Sequence, residues 1–163
     1  MNIFFQKKMS KNIFILLAIS LLFSLSSCNK EKVIAEQRYE FPNANWDFEQ
    51  RIITLECDIE ATEEPCKIVV ETEHDNISEP RSLPVTFCIT SPNGAETVKR
   101  MGLIFDGEHD VNDNLISSVA YKEKYFNTSG TYQFELYRTY EKYDLHGIRA
   151  VTVKVIKLKK DKE

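Results

Sequence analysis

The sequence predicts an all-β protein, folded as a single antiparallel β-sandwich of jelly-roll or immunoglobulin-like type. Two observations predict it. From Tyr39 onward, apolar residues recur at every second position in short runs, and turn-forming residues separate the runs. The two segments that look briefly helical, residues 33–38 ("VIAEQR") and those around Tyr140, do not sustain a period of 3.6. No internal repeat is visible, so one domain accounts for the folded part.

The first run has one apolar and one polar face, as a strand between a core and solvent should. Thr54, Glu56 and Asp58 form its polar face, and the apolar positions are Ile53, Leu55, Cys57 and Ile59. The later runs repeat the alternation, with these apolar positions: Cys66, Ile68 and Val70; Val85, Phe87 and Ile89; Leu103 and Phe105; Val119 and Tyr121; Tyr132, Phe134 and Leu136; Val151, Val153 and Val155. We therefore predict that the sandwich covers residues 39–158 and that residues 159–163 form a charged tail.

A signal peptide precedes the folded part. Lys7, Lys8 and Lys11 make a charged start, and residues 13–23 ("IFILLAISLLF") form an apolar run of signal-peptide length. This run is shorter than the roughly 20 residues that a permanent membrane-spanning helix needs. Residues 1–27 are therefore predicted to be removed.

Cys28 follows this run directly, in residues 25–28 ("LSSC"), which resemble the lipobox of bacterial lipoproteins. The resemblance implies cleavage before Cys28, a diacylglycerol on its thiol and an acyl chain on its new amine. Two or three acyl chains anchor a protein stably to a membrane. Residues 28–38, short and charged, are then predicted to be a tether. The alternative is an ordinary signal peptide whose Cys28 pairs with another cysteine.

The charge of the mature chain restricts its partners. The full chain has 21 basic and 25 acidic side chains, and three lysines but no acid leave with residues 1–27. The mature net charge is therefore near −7. Such a chain gains nothing from attraction to phosphates, which excludes nucleic acid and argues against a polybasic lipid-binding patch. Proteins or neutral molecules are the expected partners.

Three cysteines remain if Cys28 carries lipid, and they do not have the spacing of a zinc site. Cys57, Cys66 and Cys88 form no CxxC pair, and no pair of histidines accompanies them at the spacing of a zinc site. Cys57 and Cys66 share the inward parity of successive strands, so they could meet across a hairpin. We expect a longer loop there, buried free thiols and no disulfide, because Ala61 and Thr62 suit no tight turn.

The remaining candidates for chemistry are weak. Residues 106–114 ("DGEHDVNDN") carry oxygen ligands at alternate positions, as a Ca²⁺ loop could, but Val111 replaces the glycine of an EF-hand. An ordinary solvated loop is the preferred interpretation. His74, His109 and His146 are expected at the surface. No nucleophile elbow is present, so we expect no enzyme activity and no cofactor other than the covalent lipid.

Two aromatic segments are candidates for partner contacts. Tyrosine and tryptophan on exposed loops are good anchors for a protein or for a sugar face. The alternative is that these rings pack over the ends of the sandwich. The candidate residues are Tyr39, Trp46, Tyr137, Tyr140 and Tyr143.

The C-terminal part resembles the GldH family of gliding-motility lipoproteins from Bacteroidetes-type bacteria. The resemblance rests on Gly130-x-Tyr132-x-Phe134 and Leu145-x-Gly147-Ile148-x-x-Val151, with the lipobox, residues 39–46 ("YEFPNANW") and residues 91–94 ("SPNG") in the family's order. Arg138 and Tyr140 stand where the family tends to have glutamine and methionine, as in a divergent member.

This resemblance implies a non-catalytic accessory component of a cell-envelope assembly, needed with other lipoproteins for gliding and associated secretion. Asn29 is not the aspartate that favours inner-membrane retention, so the outer membrane is expected. The alternative is a surface lipoprotein that binds glycan through exposed aromatic loops.

Overall fold

The structure, a computed structural model, describes residues 31–75, 82–104, 114–139 and 144–158. Within these residues it is built of antiparallel strands and one short 3-10 turn (Pro42–Ala44), which confirms the all-β prediction. The strands are β1 (Lys32–Glu40), β2 (Asn45–Trp46), β3 (Ile52–Ile59), β4 (Thr62–His74), β5 (Ser82–Thr90), β6 (Glu96–Ile104), β7 (Leu115–Phe126), β8 (Gly130–Arg138), β9 (Leu145–His146) and β10 (Ile148–Lys157).

The eight long strands form two four-stranded sheets. We call them the β1 sheet, with the order β1-β10-β4-β7, and the β3 sheet, with the order β3-β8-β5-β6; β2 and β9 pair separately. Without the two short strands, the first long strand pairs with the last, the second with the seventh, the third with the sixth and the fourth with the fifth. This nesting is the connectivity of a jelly roll, so the strand order selects it over the immunoglobulin-like alternative.

The core lies between the sheets and contains most of the side chains that alternation predicted. In β3, β5, β8 and β10 every predicted apolar position is buried. Phe87 of β5 and Phe134 of β8 stack with ring centres 6.1 Å apart. In β7 the prediction is wrong for Val119, which is 45% exposed. The pairing of β7 with β4 shifts there, and this bulge reverses the alternation so that Ile116 and Ala120 are buried instead.

The predicted tether is also wrong in most of its length. Residues 32–38 belong to β1, which pairs with β10 from Lys32 opposite Lys157 to Glu40 opposite Ala150. Their alternation is weak because the register shifts between Val33 and Ala35. Ile34 and Tyr39 are the β1 side chains that, with Ala35, pack against the core. The folded domain therefore begins at Lys32 rather than at Tyr39.

The outer face of the β1 sheet carries ion pairs between its strands. Lys154 of β10 lies 2.8 Å from Glu71 of β4, and Arg38 of β1 pairs with Glu73 of β4. The hydrogen bond from Arg38 holds the pKa of Glu73 below its usual range. Such exposed pairs contribute little to stability, but they make this face polar and internally paired.

Candidate interaction surface

The first aromatic segment forms a packed cluster that closes one end of the sandwich. The rings of Tyr39 and Phe41 meet edge to face with centres 5.1 Å apart. Phe41 stacks on Trp46 with ring centres 5.0 Å apart. Trp46 has 0% exposure and belongs to the core. In this cluster the rings pack over the end of the sandwich, which is the alternative to partner contacts.

Trp46 is held in this position by backbone and side-chain hydrogen bonds. Its residue pairs with Leu145 between β2 and β9, and its indole Nε1 donates to the carbonyl of Gln50 at 2.8 Å. Gln50 Nε2 in turn donates to the phenol oxygen of Tyr39. The predicted partner contact at Trp46 is wrong, because a side chain without exposed surface cannot touch a partner of the folded protein. Tyr39 is half-buried and keeps part of its surface.

Arg138, which was not among the contacts predicted from the sequence, completes this cluster. Its side chain is 5% exposed, its Nη1 donates to the carbonyl of Trp46 at 2.7 Å, and its guanidinium lies 5.9 Å from the Trp46 ring centre. Burial lowers the pKa of Arg138, while the charges of Asp144 and Asp47 oppose this shift. The alternation of β8 could have predicted this burial, because Arg138 is two residues after Leu136 and four after Phe134, on the same inward face.

Tyr137 points the other way, onto the outer face of the β3 sheet. It stands between Ile52 of β3 and Thr86 of β5, and Thr86 is paired with Arg100 of β6. We call these four residues the Tyr137 row. Ile52 is 43% exposed, Arg100 is exposed and Tyr137 is half-buried. The row therefore combines an accessible apolar side chain, an aromatic ring and a cation.

The phenol of Tyr137 is oriented by its neighbour. Its hydroxyl donates to Glu135 Oε2 at 2.6 Å. This hydrogen bond to a carboxylate raises the pKa of Tyr137 to about 12, so the phenol stays protonated at neutral pH. The ring is consequently a fixed, uncharged platform on the sheet.

The three cysteines of the described residues are free and buried, but they occupy two environments. Cys57 and Cys66 belong to the core, whereas Cys88 lies on the outer face of the β3 sheet between Glu135 and Val98. Burial raises the pKa of all three thiols. The prediction of a longer hairpin loop between Cys57 and Cys66 is wrong. β3 and β4 belong to opposite sheets, and only residues 60–61 connect them.

The histidine prediction fails at one position. His74 is 7% exposed, and its Nδ1 lies 2.5 Å from the carbonyl of Asp75. Its backbone N–H donates to the carbonyl of Asn114 at 2.8 Å. His74 therefore belongs to the packed end of β4, whereas His146 is exposed as predicted.

Several predicted sites lie outside the described residues: Cys28, Tyr140, Tyr143 and residues 106–113 of the possible Ca²⁺ loop. Among the described residues, no three His, Cys, Asp or Glu side chains are grouped so that they could hold a metal ion. No helix in this part of the chain is long and apolar enough to cross a membrane. No protein-family model and no curated protein matches the sequence.

Proposed function

We propose that this protein is a lipid-anchored, non-catalytic interaction component of a bacterial cell envelope, at the outer membrane. The single observation that carries the proposal is residues 25–28 ("LSSC") directly after the apolar run of residues 13–23. Diacylglycerol and N-acyl chains on Cys28 would then hold the protein to the membrane. Three residues separate Cys28 from β1, which is at most about 15 Å of extended backbone. The domain would act close to the bilayer.

The activity that suits such a domain is holding other envelope proteins. Tyrosine and arginine are enriched at the centres of protein interfaces, where they contribute large contact areas. The Tyr137 row supplies both, beside the exposed Ile52. The resemblance of residues 130–153 to the gliding-motility family suggests that the partners belong to that machinery and its associated secretion system.

Glycan binding is the second candidate, and the surroundings of Tyr137 favour it. A sugar face stacks on an aromatic ring while polar side chains bind its hydroxyls. Glu135 and Gln133 lie on the same outer face as Tyr137. In the described part of this face Tyr137 is the one aromatic residue, which is less than a glycan platform of several rings would offer. We therefore rank protein partners first.

Cross-linking in the native host tests the proposal. We expect the wild-type protein to capture envelope proteins and Tyr137→Ala to lose them, because truncation at an interface hot spot costs about 2 kcal/mol or more. Tyr125→Ala is the matched control, since Tyr125 is exposed on β7 of the other sheet and also donates to a carboxylate, that of Glu123. The melting temperature should change little in both variants.

Two outcomes would contradict the proposal. Tyr137→Ala could retain every cross-linked partner. Alternatively, the purified protein could bind polysaccharide tightly with no protein co-purifying, and the glycan function would then replace partner binding.

A further inference from the structure

The β6 and β7 strands form an open seam on one side of the sandwich. In the described ladders β6 pairs with β5 alone and β7 with β4 alone, so both are edge strands. They lie against each other from opposite sheets but share no ladder. An edge strand carries backbone N–H and C=O groups that can pair with another chain.

One half of this seam is closed by two lysines. Lys99 Nζ of β6 donates to the carbonyl of Ala120 at 2.5 Å, and Lys124 Nζ of β7 donates to Thr97 Oγ1 at 3.0 Å. Both ammonium groups lie near the ring of Tyr121, at 5.2 and 5.9 Å from its centre. Inward-pointing charges of this kind protect a sheet edge from pairing.

The other half of the seam is a groove with a volume of about 480 Å³. Met101, which packs against the core, and the buried Ile116 provide apolar surface in it. Arg100 and Val119 are exposed beside them. The full lining is Lys99, Arg100, Met101 and Gly102 from β6 with Ile116, Ser117, Ser118 and Val119 from β7.

The charge of this groove is opposite to that of the whole chain. Its lining contains Lys99 and Arg100 but no acid, whereas the chain as a whole has 25 acidic and 21 basic side chains. β6 and β7 contain two acids, Glu96 and Glu123, and both lie at the end closed by the lysines, where Glu123 accepts a hydrogen bond from Tyr125. The lining itself is therefore positively charged.

We propose that the groove binds an extended, acidic segment of a partner protein, which adds as a strand to the free edge of β6. This inference rests on the proposed partner-holding function and extends its surface, because Arg100 belongs both to the Tyr137 row and to the groove. In strand addition, backbone hydrogen bonds supply affinity and alternate side chains supply specificity. Here a carboxylate of the segment pairs with Arg100 on the outer face of β6, and the adjacent apolar side chain contacts Met101 and Ile116 on the inner face.

Selection from a phage-displayed library of random nonapeptides tests this inference on the purified protein. We expect enriched peptides with Asp or Glu at alternate positions and apolar residues between them. By fluorescence anisotropy, Arg100→Glu should weaken the best peptide about tenfold or more, because it places a like charge against the carboxylates. Lys122→Glu makes the same charge change outside the groove lining and should weaken it less than about threefold.

Methylation of alternate backbone amides in the best peptide tests strand addition itself. It removes N–H donors without changing side chains, so we expect binding to be lost. Should Arg100→Glu fail to fold, Arg100→Gln provides the same comparison against Lys122→Gln.

Four results would overturn the inference: no enrichment, enriched peptides without acids, equal weakening by the two charge reversals, or full binding of the methylated peptide. A dimer in sedimentation that Arg100→Glu converts to monomer would instead assign the groove to a second copy, and the inference would also be wrong. Cross-linking through Tyr137 does not depend on these results, so failure of the groove and failure of the proposed function are distinguishable.

Discussion

Tyr137 and Arg138 are neighbours in the chain with opposite environments. Because side chains alternate along a strand, Tyr137 lies on the outer face of the β3 sheet while Arg138 enters the packed end of the sandwich. A buried guanidinium is tolerated only where its donors find acceptors and other charges offset its desolvation. The Trp46 carbonyl accepts one of these donors, and the charges of Asp144 and Asp47 favour the cation.

Replacement of this arginine should destabilise the fold. We expect Arg138→Met to lower the free energy of unfolding by about 2 kcal/mol, since the Trp46 carbonyl loses a charged donor in a buried position. Arg149→Met is the matched control, because Arg149 is half-exposed in an ion pair with Asp75, and it should cost less than about 1 kcal/mol. Urea denaturation of both variants measures the difference. Equal effects would refute a special role for Arg138.

β1 is the element whose role differs most from the sequence-based expectation. Its charged residues suggested a solvated tether, but a charged strand is also what the edge of a sheet requires to avoid aggregation. Arg38 contacts Glu73 two strands away, and Ile34 and Tyr39 pack against the core. β1 also lies against β3 of the other sheet, so it covers one side of the sandwich.

A linker replacement distinguishes a strand from a tether. Exchange of residues 33–37 for glycine and serine should lower the free energy of unfolding by about 3 kcal/mol or more, because ladder hydrogen bonds weaken and glycine loses more entropy on folding. The same exchange at residues 159–163, the predicted charged tail, is the control and should have little effect. Unchanged stability in the first variant would restore the tether interpretation.

At the scale of the whole molecule, jelly-roll pairing joins the two ends of the domain. β1 and β10 are antiparallel partners, with Lys32 opposite Lys157. Three residues separate the proposed anchor at Cys28 from the start of β1. A lipid there would therefore be attached almost directly to a core-covering strand rather than to a long flexible spacer.

The anchor itself is directly testable. Mass spectrometry of the mature protein should find Cys28 as the N-terminal residue, carrying diacylglycerol and an amide-linked acyl chain, because the proposal has residues 25–28 acting as a lipobox. Cys28→Ala should leave an uncleaved or soluble precursor, seen by fractionation of membranes. An unmodified Cys28 inside a longer mature chain would show the proposal to be incorrect.

The sequence by itself determined seven of the eight long strands, all but β1, and in most of them which side chains face the core. This information is local. In a strand between a core and solvent, apolar and polar residues alternate along the chain, as in β3, β8 and β10. It was weakest in β1 and β7, where register shifts interrupt the alternation. Of the candidate contacts, the described residues leave part of Tyr137 and part of Tyr39 accessible.

Only the tertiary structure decided how the strands pair, and with it the jelly-roll order, the burial of Trp46 and Arg138, and the separation of Cys57 from Cys66. These features depend on partners far apart in the chain, such as β1 with β10 and β2 with β9. Alternation says that a residue is on one face of a strand, but not which strand lies beside it. Pairing energies are similar for many combinations of apolar strands. Which strands pair is therefore determined by the packing of the whole sandwich.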